Sequence, residues 1–120
     1  MAKDDYNVLV FRILTYFYGC LKRATLFDED IFKKVIGADT IPEGYIVDVL
    51  RMMENDGLIT GLTFIKAWGN EYILISDLKD IYITSKGIEY IQDNKTMKKI
   101  KEKIMENTAD NITTLIKLVF

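Results

Sequence analysis

Apolar residues recur every three or four positions along the first 21 residues, which is the spacing of one face of an α-helix. We expect this helix to begin at Asp4 or Asp5 and to end at Tyr18, with Gly19 as its C-terminal break. Since the helix is apolar nearly all round, it should be buried nearly all round, with cover from beyond the domain's own core. Its main stripe consists of Tyr6, Val10, Ile13, Leu14, Phe17 and Leu21, and Leu9, Tyr16, Cys20, Val8, Phe11 and Tyr18 widen that stripe.

Charged residues and glycines mark the ends of two further helices. Acids at positions 28–30 suit a positive helix N-terminus, lysines at 33 and 34 suit its C-terminus, and Gly37 suits the left-handed residue that follows. Thr40 and Glu43 have the spacing of a capping box, with Pro42 in the first turn of a third helix that Gly57 ends. The inward side of the second helix is predicted to be Ile31, Phe32, Val35 and Ile36.

Residues 58–66 and 71–76 are rich in β-branched and aromatic side chains and flank a short tip that contains Trp68. They are predicted to form a hairpin. After a turn at residues 77–80, Ile81–Thr84 would add a short strand, and Thr84 would cap the helix that follows.

Helical spacing returns from Lys95 to Phe120, carried by Met97, Ile100, Ile104, Thr108, Ile112, Leu115 and Val119. One continuous helix over this span is possible, and so is a break at residues 107–111, where Asp110 can cap a separate last helix. Because the chain ends on an apolar segment, this segment should pack on the first helix or on a second subunit.

Three helices followed by a hairpin and a further strand predict an α+β fold, a winged helix-turn-helix with an apolar N-terminal helix and a C-terminal helical extension. We expect the winged-helix domain to span residues 1–94 and the extension to span residues 95–120, packed on that domain or on a second subunit.

The stretch Ile83-Thr84-x-Lys86-Gly87-x-Glu89-Tyr90-Ile91-x-x-Asn94, followed by Met97-Lys98-Lys99, resembles the signature of the YjcQ family of small bacterial and phage proteins. The resemblance extends back through Asp56-Gly57-Leu58-Ile59-Thr60-Gly61 and covers roughly residues 45–101. It implies the fold and a bacterial or phage origin, and it brings no defined activity with it.

Composition argues against several classes of function. The 120 residues include no histidine and a single cysteine, Cys20, so the common zinc sites and the Ser/His and Cys/His nucleophile pairs are missing. We therefore expect no enzyme, no metal site and no cofactor, with Cys20 a small buried residue. The apolar run at residues 8–18 contains Arg12 and is shorter than the roughly 20 residues of a membrane span, so we expect a cytoplasmic protein without membrane contact.

The third helix decides whether a winged helix reads DNA. Its outward face is predicted to carry Gly44, Asp48, Arg51 and Asn55, of which Arg51 and Asn55 can match guanine and adenine edges. Residues 28–56 nevertheless hold eight acids and three bases, a net charge of −5 that should repel phosphates.

Basic residues elsewhere can supply the missing charge. Residues 86–103 carry six lysines and three acids, a net charge of +3. The predicted DNA contacts beyond the third helix are Lys66 and Trp68 in the wing and Lys86, Lys95, Lys98 and Lys99 after it.

Two functions remain open. The first, which is our leading expectation, is a DNA-binding regulator of bacterial or phage origin that contacts double-stranded DNA weakly or conditionally, and the prior for the fold favours it. The second is a protein-interaction module whose third helix offers Tyr45, Val47 and Met52 among acids to a protein partner, and the acidic helix favours it. In either case we expect a homodimer, with an interface formed by Leu9, Tyr16, Ile112, Leu115, Ile116, Val119 and Phe120.

Overall fold

The computed structural model describes residues 5–107 and 109–120, and its centre is helix α1 (Asp5–Leu21). Elements from along the whole chain pack around α1, which buries every residue from Leu9 to Gly19 except Arg12. The cover predicted from the all-round apolar pattern is therefore supplied by the same chain. Asp4, the alternative cap of α1, lies outside the described residues.

Gly19 is not the break that the sequence predicted. The helix runs on to Leu21, and Gly19 is buried within it. A Cβ atom at this position would lie 2.7 Å from Cδ1 of Leu115, so the missing side chain lets the C-terminal segment approach α1. The contact with Leu115 thus explains why a glycine stands at position 19.

Helix α2 (Glu29–Ile36) has the ends that the sequence predicted. The Asp28 carboxylate accepts a hydrogen bond from the Ile31 N–H at 3.1 Å, and Gly37 has a left-handed φ of 72°. Phe32 faces inward into an aromatic cluster with ring centroids 5.3–5.9 Å apart. Ile31 was predicted to face the core and is instead 47% exposed. The other members of the cluster are Tyr16, Phe17 and Phe27.

Helix α3 (Glu43–Asn55) follows a turn of 3-10 helix at Ala38–Thr40. The predicted capping box is wrong, because Thr40 belongs to that turn and its hydroxyl donates to the Gly37 carbonyl at 2.9 Å. Pro42 is instead the residue that precedes the first turn of α3. Gly57 ends the helix as predicted, with a φ of 79°.

The predicted hairpin is present near its tip, where β2 (Phe64–Lys66) pairs antiparallel with β3 (Tyr72–Leu74). The earlier part of the predicted strand forms β1 (Ile59–Thr60), which pairs with β4 (Tyr82–Ile83). Gly61 separates the two parts, since its φ is 95° and a Cβ atom there would lie 2.0 Å from the Asp80 carbonyl oxygen. Among the described residues the strands therefore form two small sheets.

Helix α4 (Ser85–Asp93) begins at the cap that the sequence predicted. The Thr84 hydroxyl accepts a hydrogen bond from the Gly87 N–H at 3.0 Å and donates to the Gly57 carbonyl at 2.5 Å. Gly87 itself lies against the backbone of Leu58, where a Cβ atom would come within 2.2 Å of the carbonyl oxygen. These contacts join the end of α3, the β1–β4 pair and α4 into one unit.

Helices α5 (Lys95–Met105) and α6 (Thr113–Val119) both pack on α1. The sequence left open one continuous helix or a break, and the structure has the break. The predicted apolar stripe of α5 is buried at Met97, Ile100 and Ile104. Thr108, which was assigned to the same stripe, lies outside the described residues. The C-terminal extension thus shares one core with the rest of the chain.

Asp110 does more than the predicted capping of the last helix. Its carboxylate accepts the Ile112 N–H at 3.1 Å, just before α6, and also binds the Arg12 guanidinium through both oxygens at 2.9 and 2.6 Å. Arg12 in addition donates to the Val35 carbonyl at 2.9 Å. Arg12, the one charged residue of α1 after Asp5, is therefore tied to α2 and to the loop before α6.

The architecture is α+β, as predicted, and the order of three helices followed by a hairpin is the one expected for a winged helix. None of the helices in the described part of the chain has the length and apolar character needed to cross a membrane.

The Gly87 contact predicts a large loss of stability in Gly87→Ala. Because the added methyl group meets a backbone carbonyl, we expect a loss of about 1–3 kcal/mol in the free energy of unfolding measured by urea denaturation. Gly44→Ala is the matched control, since a Cβ atom at Gly44 meets nothing within 4 Å. This substitution should raise the free energy of unfolding by about 0.5–1 kcal/mol. Equal effects of the two substitutions would contradict the packing described here.

The Arg12–Asp110 pair predicts a pH-dependent contribution to stability. Hydrogen bonds from Arg12 hold the pKa of the Asp110 carboxyl below its usual value. This charge therefore stabilises the fold above the unfolded pKa of about 3.9, and the contribution disappears as the pH falls through the lower folded pKa.

At pH 7, Asp110→Asn should lose about 1–3 kcal/mol in the free energy of unfolding. The difference in the free energy of unfolding between this variant and the wild type should disappear as the pH is lowered below about 4. Denaturation at several pH values measures this difference. Glu89→Gln, on the exposed side of α4, should change stability by less than about 0.5 kcal/mol. A difference that persists at acid pH would show that the charge of Asp110 is not what stabilises the fold.

Candidate interaction surfaces

Arg51, the predicted reader of guanine, does not point outward from α3. Its guanidinium carbon lies 4.1 Å from the centroid of the Tyr72 ring, and its Nε atom is buried. Tyr72 lies on the side of the hairpin that faces α3, and Glu54 one turn further on accepts the Leu62 N–H at 2.9 Å. The predicted orientation of Arg51 was wrong because the hairpin folds over this side of the helix.

The solvent-exposed face of α3 consists of Glu43, Gly44, Asp48, Met52 and Asn55, and exposed Asp56 follows at its end. Within Glu43–Asn55, all of which the structure describes, no exposed side chain is cationic. Asn55 is thus accessible as predicted, among carboxylates and without its arginine neighbour. Tyr45 and Val47 are half-buried, and Met52 is 43% exposed.

The hairpin presents Lys66 and Trp68 at its tip, where the sequence placed them, and Trp68 is 97% exposed. Its outer face carries Ile65 directly opposite Ile73, with Ile75 beside them, each about half exposed. We define Ile65, Trp68, Ile73 and Ile75 as the hairpin patch. Sequence reasoning missed the three isoleucines, although their alternation with the inward residues Phe64, Tyr72 and Leu74 was a visible signal.

The predicted basic contacts lie on two sets of elements. Lys86, at the start of α4, packs its aliphatic chain near Gly57 and borders with Asn55 a cleft of about 370 Å³. Lys95, Lys98 and Lys99 are exposed on α5, which packs on α1, α4 and α6, whereas the hairpin packs on α3. The structure therefore brings Lys86 and Asn55 together and holds the α5 lysines on a separate helix.

The residues predicted to form a dimer interface lie in the core of a single chain. Leu9, Tyr16, Ile112, Leu115, Ile116 and Val119 are each at most 9% exposed. Phe120 is 39% exposed and stacks on the Phe11 ring at 6.3 Å. Since buried side chains offer no surface to a second copy, the reason for predicting a dimer through these residues is removed.

Cys20, the single cysteine of the chain, lies partly buried near the end of α1. Burial raises the pKa of the Cys20 thiol to about 11, so the thiol is protonated at neutral pH. In residues 5–107 and 109–120, no three Asp, Glu, Cys or His side chains gather as metal ligands. A larger cleft of about 940 Å³ lies between α1, α2 and α5, and the Arg12–Asp110 pair forms part of its wall.

Comparison with protein families gives one match. The model of a family described as YjcQ protein matches residues 11–108, which is most of the chain. The chain belongs to the YjcQ family. Neither the curated proteins nor the solved structures include a match to it. The YjcQ match begins inside α1 and ends beyond α5, so it includes α3, the hairpin and the α5 lysines.

In this YjcQ chain, several of the residues that carried the resemblance build the junction between α3 and α4. Gly57 ends α3 in a left-handed conformation, Thr84 caps α4 and bonds back to Gly57, and Gly87 lies on the Leu58 carbonyl. These are backbone roles. The function must therefore be sought on the surfaces that surround the junction.

Proposed function

We propose that this YjcQ protein is a protein-interaction module of winged-helix type that binds a basic partner through the exposed face of α3. The observation that carries the proposal is the stacking of Arg51 on Tyr72. This contact leaves the only base of α3 half-buried against the hairpin, and the exposed face carries Glu43, Asp48 and Met52.

Charge favours a protein partner over a nucleic acid at this face. A duplex is bound by neutralising its phosphates with lysine and arginine, and the carboxylates on α3 would repel those phosphates. Lysine and arginine side chains of a partner would instead be attracted, which speeds association and selects the partner.

Met52 supplies an apolar centre among these carboxylates. It is 43% exposed in the middle of the face. Methionine is unbranched and polarizable, so it adapts to the shape of a bound surface. An apolar centre with a charged rim is the usual organisation of an interface between proteins.

Substitution of this centre should abolish binding. We expect the wild-type protein to retain a set of proteins from a lysate of the source cells. Raised salt should release these proteins, because salt screens exposed charges. Met52→Lys and Asp48→Lys should lose this set, whereas Leu118→Lys, at a 60% exposed position on α6, should keep it. Retention of the same proteins by Met52→Lys, or of none by the wild type, would contradict the proposal.

Double-stranded DNA is the second candidate partner, favoured by the lysines of α5. Lys95, Lys98 and Lys99 are exposed on the side of α5 opposite its buried stripe. A basic helix of this kind binds phosphates without reading bases. Lys66 and Trp68 at the hairpin tip would add contacts from a second element.

Binding to duplex DNA at low salt tests this second function. Lys98→Ala and Lys99→Ala should weaken binding to all sequences. Each lost phosphate contact should reduce the slope of log K against log salt concentration by about one unit. Lys117→Ala, an exposed lysine on α6, serves as the control.

Arg51→Ala should leave base preference unchanged, because its guanidinium is stacked on Tyr72. A relaxed base preference in this variant would show that α3 reads DNA and would overturn the first proposal.

A further inference from the structure

The β2–β3 hairpin has one covered face and one open face. Its inner face packs on α3 through Tyr72, while the outer face exposes Ile65, Ile73 and Ile75 by 48, 49 and 55%. Trp68 at the tip is almost fully exposed. Large apolar side chains concentrated in one place on a surface mark an interaction site.

The edges of this hairpin are also open. Ile75 donates to the Thr63 carbonyl and Ala67 to the Glu71 carbonyl, which fixes the hydrogen-bonded pairs of the ladder. In an antiparallel ladder, hydrogen-bonded pairs alternate with pairs that are not hydrogen-bonded to each other. In the second kind of pair, the backbone N–H and C=O groups of both residues point away from the hairpin. These residues are Phe64, Lys66, Tyr72 and Leu74, and the described residues add no third strand to either edge.

We propose that the hairpin patch is the interface between two copies of this chain. Its three half-exposed isoleucines and the almost fully exposed Trp68 together present roughly 500 Å² per copy, of which the tryptophan supplies about 150–250 Å². Two copies would therefore bury roughly 1,000 Å², which is the size at which a specific interface begins. The surface is thus sufficient for a weak dimer without any other contact.

The charges around the hairpin patch are compatible with an identical partner. Lys66 and Glu71 are exposed at the tip end, and Asp77 and Lys79 are exposed at the base, where they approach each other to 3.9 Å. The tip end thus holds one cation and one anion, and the base holds Lys79 with two anions, Asp77 and exposed Asp80. In either direction, the lysines of one copy find anions on a copy related by a two-fold axis. A two-fold contact uses the same surface on both copies, and the uncharged isoleucines lie at its centre.

This interface is independent of the exposed face of α3 and replaces the predicted interface of α1 and α6. Arg51 and Tyr72 hold the hairpin on α3 from its inner side, so the hairpin patch remains free while the inner face is packed. The dimer would carry two acidic α3 faces, and loss of dimerisation would leave each of them intact.

Light scattering and the fluorescence of the single tryptophan test the proposal on the full chain. We expect the mass to rise from 13.9 kDa towards twice that value between about 5 and 500 μM, the weak range for an interface of this size. Over the same range the emission of Trp68 should move to shorter wavelength as its ring leaves water.

Ile73→Lys should keep the mass at 13.9 kDa at every concentration, and Leu118→Lys should dimerise like the wild type. Trp68→Ser is a second variant that cannot disturb the monomer core, because its side chain is 97% exposed, and it should weaken the dimer at least tenfold. A wild-type mass of 13.9 kDa throughout, or a dimer that survives Ile73→Lys and Trp68→Ser, would overturn the proposal. Binding of a basic partner through α3 is measured separately, so either proposal can fail alone.

Discussion

Burial of α1 on all sides is the constraint on which the rest of the structure depends. The helix is apolar nearly all round, and a chain of 120 residues must cover it with its own elements or leave it open to water. Helices α2, α3, α4, α5 and α6 and strand β4 all contact it. Arg12, the one charged residue between Asp5 and Lys22, then requires partners, which it finds in Asp110 and the Val35 carbonyl.

This use of the chain determines which surfaces stay free. Because α6 is needed to cover α1, most apolar side chains of the C-terminal segment belong to the core, and Leu118 and Phe120 stay exposed. The hairpin packs on α3 through its inner face, and no third strand joins it in the part of the chain that the structure describes. Its isoleucines and Trp68 therefore remain exposed, and its Tyr72 takes Arg51 away from the face that solvent reaches.

Features set by neighbouring residues could be predicted from the sequence, while features set by distant contacts could not. Asp28, Gly37 and Thr84 mark helix ends within a few residues of themselves, and the structure has them in those roles. Gly19 was misread as a helix break because its reason is the approach of Leu115, 96 positions later. The predicted strand at residues 58–66 is divided because Gly61 meets the backbone of Asp80.

The same distinction explains the candidate surfaces. Helical spacing in α3 correctly placed Gly44, Asp48 and Asn55 on the exposed face. Helical spacing could not show which other positions of α3 the hairpin would cover, because this depends on how the inner face of the hairpin packs on α3. The acidic character of α3 was visible in the sequence, and the loss of Arg51 from its exposed face became visible only in the structure.

The most direct test of this account is the chemical environment of Arg51 in solution. If its guanidinium is stacked on Tyr72, nuclear magnetic resonance should show the Arg51 Cδ and Nε protons shifted upfield by the ring, with nuclear Overhauser contacts to it. In Tyr72→Leu these protons should return to the ordinary shifts of arginine. Ordinary shifts in the wild type, without contacts to the Tyr72 ring, would mean that Arg51 is free on the surface of α3 and would contradict the account.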